Sequence, residues 1–310
     1  MPVGRISFLF MGPLSFHEFL IASGQERLCQ YLENASLAAG IDSLFCKELE
    51  KLLRNYLIIG GMPGVAHEYL RGASPEEIQI LQTSLLNTYQ VDFAKYASTS
   101  QHKYLKDVFL SAPRMVGRKY KYSQVNPNVQ SRDLKNALQL LTKAHCLYKI
   151  NHSSGHGVPL AAQTNEKKFK VLFLDVGLMQ RALGLDSQLM FEDNFMAVNM
   201  GSVVEQFVGQ ELLAEASCYD ERNAYFWSRE SKSSSAETDY LVTSGPKVYP
   251  VEVKSGKTGK LKSLRMFLDE HPDSALGIRF SRHDLSLHDR VLSIPLYMIR
   301  HWQRFVKEAF

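Results

Sequence analysis

Two strand-like segments joined by a tight turn, in the last quarter of the chain, constrain the fold more than any other feature. The first covers residues 239–243 and the second residues 248–254, and Ser244, Gly245 and Pro246 lie between them. A glycine followed by proline between two apolar runs is typical of a turn that reverses the chain. The sequence therefore predicts a β-hairpin at residues 239–254.

The predicted hairpin carries two carboxylates and an ammonium group. Glu252 and Lys254 are two residues apart on the second strand, so their side chains point to the same face, and Val251 and Val253 point to the other. Asp239 begins the first strand, near the position at which Glu252 pairs with it. We therefore expect Asp239, Glu252 and Lys254 to converge at one end of the hairpin.

These residue types suit the hydrolysis of a phosphodiester. That reaction uses a hard divalent cation, and Mg²⁺ prefers oxygen ligands such as carboxylates. The cation lowers the pKa of a water ligand and stabilises the charge that develops on the phosphate. A lysine can orient or activate that water. The competing interpretation is an exposed edge strand that holds a Glu-Lys pair and an unrelated aspartate.

Residues 201–310 as a whole are predicted to be α/β. An amphipathic helix is expected at residues 201–214, and it carries Glu205. Further elements are expected after it: strands at residues 225–227, 275–280 and 293–298, and a helix at residues 261–270.

The middle of the chain has the element order of a winged helix-turn-helix. A short element at residues 122–125 precedes a helix that begins at Ser131, then a strand at 146–150, a loop at 151–168 and a returning strand at 170–175. Basic residues surround these helices, and they form either a solvated face or a DNA-contacting face: Arg114, Arg118, Lys119, Lys121, Arg132 and Lys135.

The first part of the chain is predicted to be helical. A helix begins well at Ser74 and Pro75, with the serine as N-cap and acidic residues in the first turn, and another follows around residues 104–110. Residues 60–64 (Gly-Gly-Met-Pro-Gly) interrupt an apolar run. They indicate either a helix end with a tight connection, which we favour, or a loop that approaches a ligand.

Composition limits the class of protein. The net charge is +4 and the pI about 8.7, which permits nucleic-acid binding without requiring it. The four cysteines have no C-x-x-C spacing, so a zinc ribbon is not indicated, and scattered cysteines suit the cytoplasm. The apolar run at residues 6–14 is too short to span a bilayer and contains Pro13. We expect a cytoplasmic protein with no membrane partner.

The set Glu205, Asp239 and Glu252-x-Lys254 resembles the PD-(D/E)xK, or restriction-endonuclease-like, superfamily. This resemblance implies that Asp239, Glu252 and the backbone carbonyl of Val253 are ligands of Mg²⁺ or Mn²⁺. It also implies that Lys254 is the catalytic lysine, and that Glu205 matches a glutamate found on a helix in some members. DNA is the substrate that it implies.

The order of motifs along the whole chain resembles a bacterial and archaeal family of AAA+-type ATPases. In that family a P-loop ATPase domain precedes a C-terminal domain of unknown function. The resemblance implies a helical region at residues 1–115, a winged-helix-like domain at 116–185 and a nuclease-like domain at 186–310. The motifs are P-V-G-R-I-S-F-L-F-M-G-P-L-S-F-H-E-F-L, Y-L-I-I-G-G-M-P-G-V, F-L-D-V-G-L-M, G-S-V-V-E-Q-F-V and E-T-D-Y-L-V.

The phosphate-binding loop of that family is missing. The sequence G-x-x-x-x-G-K-[ST] does not occur in the chain, and S-G-K-T at residues 255–258 lacks the first glycine, because Val251 stands in its place. We therefore expect no ATP site and no ATPase activity from this chain alone. We interpret the chain as a truncated or split member of that family, or as a fragment of a longer protein. Three functions stay open: a metal-dependent nuclease-like DNA-processing protein, a non-catalytic DNA- or protein-binding module, and an ATPase subunit completed by another chain.

Overall fold

The computed structural model describes residues 6–96, 99–184, 200–229, 236–256 and 259–310, and the statements below concern those residues. Several sequence predictions fall outside them. They are the first residues of the N-terminal motif (Pro2 to Arg5), the end of the S-G-K-T stretch (Lys257 and Thr258), and residues 186–199 of the predicted nuclease-like domain.

The described strands form one mixed sheet, which confirms the α/β class. Its eight strands lie in the order β2-β1-β3-β4-β5-β6-β8-β7. The β1–β2, β3–β4, β4–β5 and β7–β8 pairs are antiparallel, and the others are parallel. The strands are β1 Leu147–Ser153, β2 Thr164–Phe173, β3 Ala224–Phe226, β4 Tyr240–Ser244, β5 Lys247–Val253, β6 Gly277–Ser281, β7 Ser286–His288 and β8 Val291–Pro295.

The first eight described α-helices precede β1, and the other four follow β2. None of those in the described ranges is long and apolar enough to cross a membrane. They are α1 Phe16–Ala22, α2 Glu26–Asn34, α3 Ser43–Ile59, α4 Pro63–Leu70, α5 Pro75–Tyr96, α6 Thr99–Met115, α7 Tyr122–Val125, α8 Ser131–Lys143, α9 Val176–Ala182, α10 Met200–Ala214, α11 Lys262–Glu270 and α12 Trp302–Glu308.

The predicted hairpin is β4–β5. Tyr240 pairs with Val251 and Ser244 with Lys247, so the turn between the strands has two residues. Gly245 takes the first turn position with φ +58°, a conformation that glycine adopts without a steric penalty. The turn fixes the register, and the register brings Asp239 beside the end of β5.

The strand pairing that a winged helix requires is observed after α8. Leu147 pairs with Phe173, and Ile150 with Lys170. The predicted loop at residues 151–168 was too long, because β1 continues to Ser153 and β2 begins at Thr164. The polar His152 belongs to a strand because its Nε2 hydrogen-bonds to the Ser228 carbonyl at 3.0 Å, a partner that the local sequence does not reveal.

The sheet and the core run across the predicted domain boundaries. Strand β1 pairs in parallel with β3, as Ile150 with Ala224, so the β1–β2 hairpin joins the sheet that contains β4 and β5. One hydrophobic cluster extends from Phe16 to Val306. The division at residues 115 and 185 stays a prediction, since β1 and β3 lie in different predicted domains and share one sheet.

The last predicted strand was placed too late. Residues 293–298 were expected to be extended, whereas β8 ends at Pro295 and Leu296–His301 form a 3₁₀ helix. Pro295 has no backbone N–H to donate, and it ends the ladder at the point where it pairs with Ser281.

The Gly-rich turn at residues 60–64 is a helix end and a tight connection. Helix α3 ends at Ile59 and α4 begins at Pro63. Gly60 has φ +76°, and a Cβ on it would lie 2.0 Å from Oδ1 of Asp175. The backbone therefore comes this close to a buried carboxylate of the same chain, and Asp175 Oδ2 accepts the N–H of Gly61 at 2.7 Å.

Candidate functional site

Asp239 is held against the end of β5 by two hydrogen bonds. Its backbone N–H donates to the Val251 carbonyl at 2.9 Å. Its Oδ2 accepts the backbone N–H of Val253 at 2.7 Å. Because Tyr240 pairs with Val251, the antiparallel register places Asp239 opposite Glu252. Asp239, which directly precedes β4, thus lies opposite Glu252 on β5.

Glu252 and Lys254 form an ion pair at the end of β5. The distance from Lys254 Nζ to Glu252 Oε1 is 2.5 Å, and Glu252 is 7% exposed. Burial and, after it, the Asp239 charge raise the pKa of the Glu252 carboxyl to about 7, although Lys254 opposes the shift. The other oxygen, Oε2, is buried and accepts no hydrogen bond from any residue that the structure describes. The described residues therefore leave one buried carboxylate oxygen of the site without a donor.

Lys170 is a buried lysine from β2 that reaches the same site. Its Nζ lies 3.1 Å from Glu205 Oε1, 2.9 Å from Glu237 Oε1 and 3.8 Å from Asp239 Oδ1, and its side chain is 1% exposed. Burial opposes the charge, but the three carboxylates together raise the pKa of Lys170 above its ordinary value. The residue is therefore an ammonium ion, and we call these four residues the Lys170 cluster.

The carboxylates of the Lys170 cluster hold more negative charge than Lys170 neutralises. Burial and the charge of Asp239 together raise the pKa of Glu205 to about 7, while Lys170 opposes the rise. The pKa of Asp239 is also raised, first by burial, although Lys170 and the Val253 N–H act against it. A further cation would lower both pKa values, because it stabilises the ionised carboxylates.

Helix α10 is fixed in rotation by buried polar side chains, which determines where Glu205 points. Gln206 both accepts from the Phe173 N–H and donates to the Phe173 carbonyl, at 2.9 and 2.8 Å. Gln210 Oε1 accepts the Val176 N–H at 3.0 Å. These bonds attach one face of α10 to the last residue of β2 and the first residue of α9. In this orientation of the helix, Glu205 contacts Lys170.

A second set of bonds connects the same helix to the N-terminal motifs. Gln210 donates to the Tyr56 hydroxyl at 2.9 Å, and Glu211 Oε1 accepts the Phe16 N–H at 2.9 Å. The Tyr56 hydroxyl in turn donates to the Leu14 carbonyl. The P-L-S-F motif is thus a structural partner of α10, and its role here is to hold the helix that carries Glu205.

The turn after α6 closes one side of the Lys170 cluster. A Cβ on Gly117 would lie 2.8 Å from Glu205 Oε2, and Gly117 has φ +79°, so glycine is required for this approach. Lys119 Nζ lies 3.2 Å from Glu237 Oε2, and its side chain is 45% exposed. The cluster therefore meets solvent at a basic edge.

The donor set fits one divalent cation. In the described part of the chain, no group of three or more His, Cys, Asp or Glu side chains is arranged to hold a metal ion. Asp239 and Glu252 would supply two carboxylates to such an ion, and a backbone carbonyl would supply a further oxygen. The N–H and C=O of one strand residue point to the same side, so the carbonyl of Val253 faces Asp239, as its N–H does.

The structure places all four predicted side chains around this site, in two groups. Glu205 belongs to the Lys170 cluster, and Glu252 pairs with Lys254. Asp239 connects the groups, since one of its oxygens faces Lys170 and the other faces Val253. Whether they catalyse a reaction stays a prediction.

Sequence reasoning missed Lys170 and Glu237. The signal for Lys170 was present, because it is a lysine between Phe169 and Val171, in the apolar second half of β2. Glu237 lies two residues before Asp239, the spacing that puts two strand side chains on one face.

Comparisons with known families match two parts of the chain. Residues 50–189 match a domain of unknown function, DUF8612, and residues 200–299 match another domain of unknown function, DUF4143. DUF4143 is found at the C-termini of AAA-type ATPase proteins. The second match includes Glu205, Asp239, Glu252 and Lys254, whereas Lys170 lies in the first. No curated protein and no solved structure matches the chain.

Proposed function

We propose that this chain carries a divalent-metal-dependent phosphodiesterase site of the nuclease type, and that DNA is its substrate. The observation that carries the proposal is the buried Oε2 of Glu252, which has no hydrogen-bond partner among the described residues and lies on a carboxylate beside Asp239 and Lys254. Leaving a buried carboxylate oxygen without a partner is costly unless a cation binds there.

Each residue has a distinct role in this proposal. Asp239, Glu252 and the Val253 carbonyl would hold the Mg²⁺ or Mn²⁺ ion. When bound, that ion lowers the pKa of a water ligand and stabilises negative charge on the phosphate. Lys254 is held by Glu252 at 2.5 Å, which positions its ammonium group to orient the attacking water and to offset charge on the phosphate oxygens.

The basic edge of the site supports a nucleic-acid substrate. Arg114, Arg118, Lys119 and Lys121 are exposed, and they border the turn that packs on Glu205. Lysine and arginine bind phosphates without reading sequence, so these side chains suit a DNA backbone that passes the site. In sequence they come directly before α7 and α8, the helices of the predicted winged-helix-like segment.

A cleavage assay tests the proposal. The full chain is incubated with Mn²⁺ or Mg²⁺ and with supercoiled, linear and single-stranded DNA. We expect metal-dependent cleavage that falls at least about 100-fold in Asp239→Asn and in Lys254→Met. Asp273→Asn and Lys260→Met change exposed residues of the same types and are the matched controls. Cleavage that is equal in wild type and Asp239→Asn would show that a contaminant or another site is responsible.

A second candidate is a non-catalytic DNA- or protein-binding module. The observation that favours it is that Lys170 and Lys254 already partner all four acidic side chains of the site. In that case the cluster stabilises the fold and binds no metal. Mn²⁺ binding distinguishes the candidates, because only the phosphodiesterase site requires it.

The match to DUF4143 supports a further part of the proposal. We infer that the chain is related to the C-terminal part of AAA+-type ATPase proteins, that it acts in the cytoplasm, and that its partners are DNA and an ATPase subunit or another protein. No phosphate-binding loop occurs in its 310 residues. A pull-down of purified chain with P-loop ATPases from the same cell, with and without ATP, tests the partnership.

A further inference from the structure

We propose that Lys170 is a built-in cation of the site, which takes the position that a second metal ion would occupy, so that the site binds one divalent ion only. This inference rests on the proposed function. Neither Lys170 nor Glu237 belongs to the motif that identified the site, and Lys170 comes from a different matched domain, 35 residues before Glu205.

The surroundings of the Lys170 ammonium are those of a bound cation. Oxygens from three carboxylates approach it, and they come from separate elements: Glu205 from α10, and Glu237 and Asp239 from the segment before β4. The ring of Phe226 lies 5.2 Å from Nζ on a further side. The side chain is almost completely buried, so this ammonium group does not exchange its partners with water.

Asp239 divides its two oxygens between the proposed cation positions. Oδ1 faces Lys170 at 3.8 Å, and Oδ2 faces the backbone at the end of β5, on the side of Glu252. A carboxylate that bridges two metal ions has the same arrangement. Here one of the two positions is already filled by a side chain that cannot dissociate.

The charges of the site favour one divalent ion over two. Four carboxylates meet the ammonium groups of Lys119, Lys170 and Lys254, which leaves an excess of one negative charge. One divalent ion at Glu252 Oε2 brings the net charge from −1 to +1, whereas two would bring it to +3. A second ion beside Glu205 and Asp239 would lie close to the buried ammonium of Lys170, and the repulsion between them would be screened weakly.

The number of bound Mn²⁺ ions tests this inference in the wild-type chain. Isothermal titration and the loss of the free-ion electron paramagnetic resonance signal both count the ions. We expect one ion per chain, and none in Glu252→Gln. Two ions per wild-type chain would overturn the role of Lys170 and leave the proposed function standing. No bound ion in folded wild-type protein would overturn the proposed function, and this inference with it.

Substitution of Lys170 tests whether this side chain excludes a second ion. In Lys170→Met the three carboxylates lose their cation, and we expect a count of two ions, with a concentration dependence that shows a second, weaker site. Lys167→Met changes an exposed lysine of the same strand and should keep a count of one. A folded Lys170→Met protein that still binds one ion would contradict the inference. If circular dichroism shows that this variant is unfolded, the wild-type count decides.

Discussion

Lys170 on β2 and Glu205 on α10 form an ion pair of 3.1 Å inside the protein, where only 1% of the lysine side chain is exposed. The pair joins β2, a strand of the β1–β2 hairpin, to α10, the helix at the start of the region that matches DUF4143. Removing one partner of a buried pair leaves an uncompensated charge, which is more costly than the pair itself is stabilising.

Lys170→Met should therefore destabilise the protein strongly at neutral pH. We expect the free energy of unfolding to fall by about 3–5 kcal/mol, because three partly buried carboxylates lose their buried cation. Urea denaturation followed by tryptophan fluorescence measures it. Lys167→Met should change the value by less than about 0.5 kcal/mol. A loss below about 1 kcal/mol for Lys170→Met would mean that water or another cation replaces the ammonium group.

Gly60→Ala should destabilise through two separable effects. The residue has φ +76°, and its new Cβ would meet Asp175 Oδ1 at 2.0 Å. The positive φ alone costs about 1–2 kcal/mol, and displacing a buried carboxylate adds about 1–3 kcal/mol. Gly24→Ala is the matched control, since Gly24 has φ +70° and no described atom lies within 4 Å of the added Cβ. Equal losses in the two variants, measured by urea denaturation, would contradict the close approach of Asp175.

Glu211→Gln should change how stability depends on pH. Burial raises the pKa of this carboxyl from 4.5 to about 8, so the folded chain keeps a proton that the unfolded chain releases between those pH values. Wild-type stability therefore falls as pH rises from about 4.5 to about 8, by at most about 1.4 kcal/mol per pH unit from this group.

The glutamine variant lacks this dependence and still accepts the Phe16 N–H. Its free energy of unfolding relative to wild type should increase steadily in urea titrations at about pH 5, 6.5 and 8. Glu221→Gln, at an exposed position, should show a constant difference. A constant difference for Glu211→Gln as well would show that Glu211 is ionised in the folded protein across this range.

The isolated chain should not bind ATP tightly. A P-loop binds phosphates through successive backbone N–H groups at a helix N-terminus, with a lysine on the terminal phosphates. No such sequence occurs in the 310 residues. Isothermal titration with ATP and Mg²⁺ should give no saturable heat at micromolar nucleotide. Micromolar binding would contradict this expectation and would favour the ATPase function among the three that the sequence leaves open.

Local patterns were sufficient to predict most elements. The turn residues Gly245 and Pro246 predicted the β4–β5 hairpin, and Ser74 with Pro75 predicted the start of α5. The convergence of Asp239 with Glu252 followed from the same hairpin, because Asp239 directly precedes β4 and Glu252 lies near the end of β5. These features depend on contacts between residues that are close in sequence.

The remaining features depend on distant partners. The parallel pairing of β1 with β3 joins Ile150 to Ala224, and no local pattern specifies it. Lys170 was missed as a member of the site for the same reason, since its three carboxylates lie in two later segments of the chain. The short strand β7 was not predicted, because its three residues are stabilised by pairing with β8 alone.

The response of thermal stability to Mn²⁺ tests the central claim most directly. An ion whose free concentration is 100 times its dissociation constant stabilises the folded chain by about 2.7 kcal/mol. This corresponds to a rise of several degrees in Tm. We predict such a rise in wild type and in Glu270→Gln, and none in Glu252→Gln. A wild-type Tm that Mn²⁺ leaves unchanged, or an equal rise in Glu252→Gln, would contradict a metal site at Asp239 and Glu252.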